Sequence, residues 1–334
     1  MAIATLEQWK DLYDLADRLK ERKPWQQFED IDLIQIKLPE YREAFTCSFM
    51  GKHEFCPGIS LYYGIEGYSD VMMLMESGDF PVPSTYVMGD IHALTCYYGD
   101  QEELDDVQMQ RIQELGRSYQ GSMDWTYFLS FEPRYSPSDL SLEEVKRCTL
   151  VFKALIRILD CLQEEPEKWP DFENQEILRA TILDAGEMSM ESILMPEPFP
   201  RYKMIELPED LKQSLKEKPI EDLELALDLN YLFAPVHDPD YDRPLNPLVL
   251  MAYDLRTDFI VHAHLLALED DEVECLIAMF MELIEEIGRP AKLYIRNPTI
   301  YYALESLCYQ IEIPIQIDAL EELDEIYEHL RERI

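Results

Sequence analysis

The C-terminal third of the chain contains the stretch LVLMAYDLRTDFIVHAHLLA at residues 248–267. It predicts two strands, Leu248 to Asp254 and Phe259 to Ala267, because apolar and β-branched residues dominate both runs. The four residues between them, Leu255 to Asp258, predict the turn of a hairpin. This hairpin is the clearest element of the sequence, and the rest of the fold is interpreted outward from it.

Helices and strands alternate after the hairpin. Helix caps, apolar faces and the stop signal of Gly288 and Pro290 predict a helix, a strand, a second helix, a strand and a final helix. The second helix opens at Asn297-Pro298, and the final one at Asp318 with Glu321. This order predicts an α/β (α+β) domain with a mixed sheet, whose strand–helix–strand crossovers are parallel and right-handed.

The N-terminal half can be read in a similar order. Thr5 and Gln8 have capping-box spacing, and they predict a first helix from Leu6 to about Arg22. From Phe45 to about Leu162, a hairpin is again followed by alternating helices and strands. One hypothesis is therefore a duplicated ββαβαβα unit, although no clear sequence identity between the halves supports it.

These elements predict three regions. Residues 1–165 form an N-terminal α/β domain, and residues 247–334 form the C-terminal ββαβαβα domain. Residues 166–246 are rich in proline and acidic side chains, and are expected to be a connecting region with some strand and helix.

Charge limits the classes of partner. The 334 residues include 68 acidic and 29 basic side chains, which gives a formal net charge of −39. Nucleic acids and anionic membrane surfaces attract Lys and Arg, so neither is expected to bind this chain directly. The expected partner is a protein, and a basic one would suit the charge.

The cysteines and the N-terminus predict a cytoplasmic protein. Seven cysteines include no CxxC pair, which is typical of buried thiols in a reducing compartment. The N-terminus lacks the apolar stretch of a signal peptide, and no segment has the length and apolarity of a membrane span. No GxxxxGK[ST], GxGxxG, GxSxG or HExxH motif occurs, so no cofactor is predicted.

The topology suggests one catalytic hypothesis. A hairpin followed by alternating helices and strands is typical of the ribonuclease H-like fold, where carboxylates at strand ends hold two divalent ions. The equivalent residues here are Asp254, Glu274, Asn297 and Asp324. Two features count against the hypothesis: the hairpin lacks a recognisable third strand, and Asn297 supplies an amide where a charge is needed. Capping the helix that starts at Pro298 is a sufficient role for Asn297.

Two histidines form the other candidate site. His262 and His264 alternate along a strand and therefore point to the same face, a geometry that can ligate a metal. A turn at Arg256 and Thr257 would place Met251 and Val249 opposite them, and neither is a good metal neighbour. Packing is the favoured interpretation of both histidines.

Several short aromatic and glycine motifs are shared with one family. They are Trp9 to Ala16, Phe49-Met50-Gly51, Leu61 to Gly67, Leu115-Gly116, Gly121, Trp125 to Phe131, Leu229 to Val236, Arg243-Pro244 and Gly288-Arg289-Pro290. In these the chain resembles an uncharacterised bacterial family with two domains of unknown function, sometimes found in proteins with a plasmid-type open-reading-frame-three domain. The resemblance implies a bacterial origin and a two-part layout, and it brings no activity, ligand or catalytic residue.

The favoured function is a non-enzymatic interaction or regulatory protein, since no constellation of polar residues predicts a catalytic site. Two alternatives stay open. One is a degenerate or metal-dependent ribonuclease H-like hydrolase in the C-terminal half. The other is an acidic decoy for a basic or DNA-binding protein.

Overall fold

The protein is described by a computed structural model that covers residues 3–52, 56–76, 80–183, 186–198, 202 and 206–333. The chain divides into two compact units, each with its own mixed sheet. The first comprises residues 1–72, 91–132 and 137–199, and the second comprises residues 73–90, 133–136 and 200–334. The prediction of an α/β chain with two mixed sheets is confirmed.

The helices and strands follow one another in the order α1 (Leu6–Arg22), β1 (Ile34–Lys37), β2 (Phe45–Met50), β3 (Gly58–Tyr63), α2 (Gly64–Glu76), α3 (Ser84–Gly89), β4 (Ala93–Gly99), α4 (Asp106–Glu114), β5 (Trp125–Phe131), α5 (Leu142–Glu164), β6 (Glu176–Ile182), β7 (Met188–Leu194), α6 (Glu209–Glu217), β8 (Ile220–Tyr231), β9 (Leu248–Asp254), β10 (Phe259–Leu266), α7 (Glu272–Glu286), β11 (Arg289–Ile295), α8 (Pro298–Gln310), β12 (Ile315–Ile317) and α9 (Glu321–Arg331). In the described part of the chain, no helix combines the length and apolarity that a membrane crossing requires.

The sheet of the first unit has the strand order β5-β4-β3-β2-β1-β6-β7. Strands β1 and β6 pair in parallel, whereas the other neighbouring pairs are antiparallel. Helices α1 and α5 pack on this sheet, and their apolar faces join the strands in one core. The predicted capping box of α1 is present, with the Thr5 hydroxyl accepting from the Gln8 amide.

The prediction of parallel crossovers is wrong for this unit. The element order from Phe45 to Leu162 is as expected, but β4 pairs antiparallel with both β3 and β5. The order of elements does not fix strand direction, because a connection that contains a helix is long enough to return the chain either way. The two sheets share only part of the arrangement that a duplicated ββαβαβα unit would give. In each, a three-stranded antiparallel meander has a parallel strand beside its first member.

The sheet of the second unit has the strand order β10-β9-β8-β11-β12. Strands β8, β9 and β10 are antiparallel, and β11 and β12 run parallel to β8. Helices α7 and α8 cover one face of the sheet, and α9 covers part of the other. The third antiparallel strand that the ribonuclease H-like hypothesis lacked is therefore present as β8.

The strands also divide the chain differently from the predicted boundaries 1–165, 166–246 and 247–334. Residues 166–246 are not a separate connecting region, since β6 and β7 belong to the first sheet and β8 is the central strand of the second. The acidic residues of β8 disguised it. Glu224 and Asp228 lie between leucines that alternate with a period of two, so these two acidic residues occupy the side of the strand opposite the leucines.

Candidate functional site

Three charged side chains converge beside the central strands of the second sheet. Asp228 lies in β8, Arg296 directly follows β11, and Asp324 lies in α9. Alternation along β8 places Asp228 on the same face as Ala226, which is the face that Leu320 and Leu323 of the α9 region cover. The strand ends and the covering helix thus bring together residues that are far apart in sequence.

The Arg296 guanidinium bridges the two carboxylates. Its Nη2 donates to Asp228 Oδ2 over 2.8 Å, and its Nη1 donates to Asp324 Oδ1 over 2.6 Å. Nη1 also lies 3.2 Å from the Ala319 carbonyl oxygen, which accepts from it. The side chains of Arg296 and Asp228 are 2% and 0% exposed, whereas that of Asp324 is 57% exposed.

Burial and charge act in opposite directions on this cluster. Burial alone would lower the pKa of Arg296, but the carboxylates of Asp228 and Asp324 outweigh it and hold that pKa above its ordinary value. Burial also raises the pKa of the neighbouring Tyr327 phenol, and the charge of Asp228 adds to the effect. The guanidinium therefore stays charged and the phenol stays neutral. The cluster contains its own cation between two carboxylates.

The predicted ribonuclease H-like residues do not meet as a set. Asp254 caps the hairpin turn, where its carboxylate accepts from the Arg256 amide at 3.1 Å and the Thr257 hydroxyl at 2.6 Å. Glu274 is exposed on the first turn of α7. Of the predicted residues, Asp324 alone belongs to the buried cluster.

Asn297 has the structural role that its sequence context favours. Its side-chain oxygen accepts from the Thr299 amide at 2.8 Å and caps α8, while its side-chain nitrogen donates to the Leu229 carbonyl oxygen at 3.1 Å. The amide thus ties the start of α8 to the neighbouring strand β8.

Sequence reasoning missed Asp228 and Arg296. The signal for Asp228 was available, because Leu223, Leu225, Leu227 and Leu229 alternate strictly and mark β8 as a strand. No comparable signal exists for Arg296. An arginine at the end of a strand is ordinarily exposed, and it is buried here by partners 68 and 28 residues away.

The two predicted histidines have different surroundings. His262 and His264 lie on one face of β10 as expected, but Ala252 and Leu250 are opposite them, not Met251 and Val249. The reason is a register shift between Ile260 and His262, where β10 carries an irregularity. Among the described residues, the group of three metal-ligating side chains that the structure brings together is His264, Asp270 and Cys275, without His262.

Strand β10 is an edge strand with exposed apolar side chains. Phe259 is 67% exposed and Leu265 is 57% exposed. Leu265 pairs with Val249 and therefore points to the sheet face of Val249 and Met251, of which α9 covers only the central part. A groove of about 270 Å³ adjoins the end of β10, and it is lined by Arg134, Val236, Leu245, Asn246, Pro247, Leu265, Leu266, Ala267 and Leu268.

The first unit contains a polar pocket of about 260 Å³. His92 lines this pocket, and its backbone amide donates to Asp70 Oδ2 at 2.7 Å, while its Nδ1 lies 3.0 Å from the same oxygen. The Ser130 hydroxyl donates to Glu144 Oε1 at 2.6 Å, and the other oxygen of Glu144 caps α5. These groups are therefore engaged with one another, and the pocket is smaller than most small-molecule sites.

Comparisons with known proteins give families without an assigned activity. The model of the domain of unknown function DUF7309 matches residues 9–180, and that of the domain of unknown function DUF6930 matches residues 210–331. No curated protein matches the chain.

Two solved viral structures show a weak similarity. The chain is similar to the simian T-cell lymphotropic virus intasome in complex with PP2A regulatory subunit B56 gamma, with 12% identity and a TM-score of 0.25, over 35% of this chain and 42% of that one. It is also similar to the HTLV-2 integrase catalytic core domain in complex with magnesium, with 12% identity and a TM-score of 0.24, over 34% of this chain and 70% of that one. The chain spans about two fifths of the first of these. Such low scores carry no argument about fold or activity.

Proposed function

We propose that this chain, which belongs to the family of the domain of unknown function DUF7309, is a non-enzymatic interaction protein that binds an extended, basic peptide segment along β10. The observation that carries the proposal is the exposed apolar edge of the second sheet. The segment would add to the sheet as a further antiparallel or parallel strand.

An unprotected apolar edge is unusual in a natural sheet. Edge strands present unpaired backbone groups, and proteins ordinarily protect them with lysine, proline or short length. Strand β10 has eight residues, no lysine and no proline, and its outer residues include Phe259 and Leu265. The irregularity near Ile260 protects only the first part of the strand, so His262 to Leu266 stay regular. Edge strand β7 also exposes an apolar side chain, Leu194, but the exposed residues before it are the polar Ser189, Glu191 and Ser192.

The charge around β10 favours a basic segment. Carboxylates stand at both ends of the strand: Asp254 and Asp258 at its start, and Glu269 and Asp270 beyond its end. The whole chain carries −39. A segment with alternating apolar and basic residues would place apolar side chains against the sheet and the groove, and would bring basic residues near these carboxylates. Nucleic acids would meet repulsion from the same charges.

The buried cluster supports a non-enzymatic function over a hydrolase. A two-metal site needs carboxylates that are free to bind divalent ions. Asp228 and Asp324 already share the Arg296 guanidinium, so a metal ion would have to displace a buried cation. The cluster is therefore better suited to holding β8, β11 and α9 together than to hydrolysis.

Two synthetic peptides of nine residues test the proposal by fluorescence anisotropy. Both alternate valine and lysine, and one carries N-methyl groups on alternate backbone nitrogens, which keeps its charge but removes hydrogen-bond donors. We expect the unmodified peptide to bind at least about tenfold more tightly, because strand addition depends on backbone hydrogen bonds. Leu265→Lys should weaken its binding, since the new charge lies against a basic ligand. Val107→Lys is the matched control, because Val107 is 59% exposed on α4.

The same experiment distinguishes strand addition at β10 from the acidic-decoy function. A decoy that acts through net charge would bind both peptides equally and would lose both as salt rises. Equal binding of the two peptides by the unsubstituted protein, or unchanged binding by Leu265→Lys, would refute strand addition at β10.

We further propose that the protein acts in the cytoplasm of a bacterium. The resemblance of the short aromatic and glycine motifs supports the bacterial origin. The free state of Cys47, Cys56, Cys96, Cys148, Cys161, Cys275 and Cys308 supports a reducing compartment.

A further inference from the structure

We infer that His264, Asp270 and Cys275 form a binding site for a zinc-type divalent transition metal between the end of β10 and the start of α7. This site goes beyond the proposed function, because it needs no peptide partner. His264 lies near the end of the edge strand β10, Asp270 lies in the loop that follows, and Cys275 lies at the start of α7.

The distances are close to those that a single ion requires. One ligand atom from each residue lies within 4.8 Å of the other two, and His264 Nε2 is 3.8 Å from Asp270 Oδ2. A tetrahedral zinc ion with ordinary bond lengths separates its ligand atoms by roughly 3.3–3.8 Å. The distance between the histidine nitrogen and the carboxylate oxygen is at the upper end of this range, and metal binding would draw the three side chains together.

The ligand types select the class of metal. A thiolate, an imidazole and a carboxylate suit zinc and its neighbours in the first transition series, whereas Mg²⁺ and Ca²⁺ prefer oxygen ligands alone. Cys275 is the fourth residue of α7, and a bound ion would displace the proton of its thiol, since cysteine ligates a metal as the thiolate. Three protein ligands leave the fourth position of the tetrahedron for a water molecule. Solvent can reach this position, because the side chain of His264 is half-exposed.

Asp270 is held in place by its own loop. Its Oδ2 accepts from the Ala267 amide at 2.7 Å, and its backbone amide donates to the Ala267 carbonyl oxygen at 3.1 Å. Outer hydrogen bonds of this kind orient a ligating carboxylate. The Arg134 guanidinium donates to the Asp270 carbonyl oxygen at 3.1 Å and further fixes the loop.

Arg134 is also the cation that would most oppose metal binding. Its Nη2 lies 3.1 Å from Glu272 Oε2, which neutralises it. The carboxylates of Asp271 and Glu274 add negative charge near Cys275. The local balance therefore favours a divalent cation.

The experiment titrates the full chain, freed of metal by a chelator, with Zn²⁺ by calorimetry and with Co²⁺ by absorption spectroscopy. We expect one tight site per chain and, with Co²⁺, a charge-transfer band in the near ultraviolet, which reports a thiolate–metal bond. Cys275→Ser should abolish that band. His264→Gln and Asp270→Asn should each weaken Zn²⁺ binding by roughly tenfold or more, because each removes a ligand.

Two variants are matched controls. His262→Gln changes a histidine on the same face of the same strand. Cys161→Ser changes a half-buried cysteine of α5 that belongs to no such group among the described residues. Both should retain the stoichiometry, the affinity and the Co²⁺ band. If no tight site exists, if Cys275→Ser keeps the band, or if His262→Gln weakens binding as strongly as His264→Gln, the proposed site is wrong.

Discussion

Two clusters of polar side chains in the second unit differ in how their charges are neutralised, one at the centre of the sheet and one at its edge. At the centre, Asp228 and Asp324 share the guanidinium of Arg296. At the edge, His264, Asp270 and Cys275 face one another without an internal cation at their centre. The central cluster holds its own cation, although Asp228 Oδ1 and Arg296 Nε are buried without a hydrogen-bond partner in the described part of the chain. The edge cluster has ligand atoms that an added ion would join.

The difference follows from burial. A carboxylate such as Asp228, with no exposed surface, requires a partner within the fold because an isolated buried charge is very costly. The side chains of His264 and Asp270 are 49% and 33% exposed, so water can solvate them and neither needs an internal ion pair. Centre and edge therefore have different expected roles, with stability at the centre and binding at the edge.

Removing the central cation should have the largest effect. Arg296→Met leaves Asp228 buried and unpaired, and we expect it to lower the free energy of unfolding by about 3–5 kcal/mol. Because the folded pKa of Arg296 is raised, the stabilisation is fully present at neutral pH and would be lost only in strong alkali. Urea denaturation of the two proteins at neutral pH measures the difference.

Two variants sharpen this first prediction. Arg256→Met removes an exposed guanidinium that pairs with Asp222, and it should cost less than about 1 kcal/mol. The double variant Arg296→Met/Asp228→Leu removes both buried charges, and it should be more stable than Arg296→Met alone. A double variant that is less stable than the single one would contradict the assignment of the cost to an unpaired Asp228.

The sequence specified the local elements of this unit better than its central cluster. The strands of the hairpin and the cap at Asn297 follow from a few neighbouring residues, and the structure has them. The same holds in the first unit for α1, whose predicted bounds match because a capping box and Pro24 delimit it. Local signals of this kind act over one helical turn or one hairpin.

The central cluster depends on pairings that no local pattern encodes. The burial of Arg296 requires that β8, β11 and α9 meet, and the sequence separations of its partners are 68 and 28 residues. The candidate Asp254 is engaged by contacts that are also hard to foresee. Its carboxylate has local donors in Arg256 and Thr257, which a strand-end pattern does not reveal. The sequence pattern indicated His264 of the edge cluster. It did not indicate Asp270 and Cys275, which lie in the following loop and helix.

Zinc should distinguish the two clusters by its effect on stability. At a free Zn²⁺ concentration of 100 times the dissociation constant, binding to the folded state alone adds about 2.7 kcal/mol. We expect this gain in the unsubstituted protein and in Asp324→Asn, but not in Cys275→Ser. Thermal unfolding with and without Zn²⁺ measures it. A gain that survives Cys275→Ser, or that disappears in Asp324→Asn, would place the ion at the centre of the sheet.

The exposed ion pair of the central cluster, Arg296–Asp324, should contribute less to stability than the buried pair Arg296–Asp228. Asp324→Asn removes a carboxylate that is largely accessible to water, and Arg296 keeps its contacts with Asp228 and the Ala319 carbonyl oxygen. We expect a loss of about 1 kcal/mol in the free energy of unfolding. Denaturation of Asp324→Asn beside Asp228→Asn tests the ranking, and equal losses would show that burial does not set the cost.

The smallest effect on stability is expected for Leu265→Lys, the variant that should weaken peptide binding. Leu265 is 57% exposed on the edge strand, so its replacement should change the free energy of unfolding by no more than about 0.5 kcal/mol. Urea denaturation, run beside the peptide-binding measurement, separates the two properties. A large loss of stability would mean that Leu265 contributes to the core, and the weakened binding would then no longer identify β10 as the docking edge. Unchanged stability with weakened binding is the result that a binding edge requires.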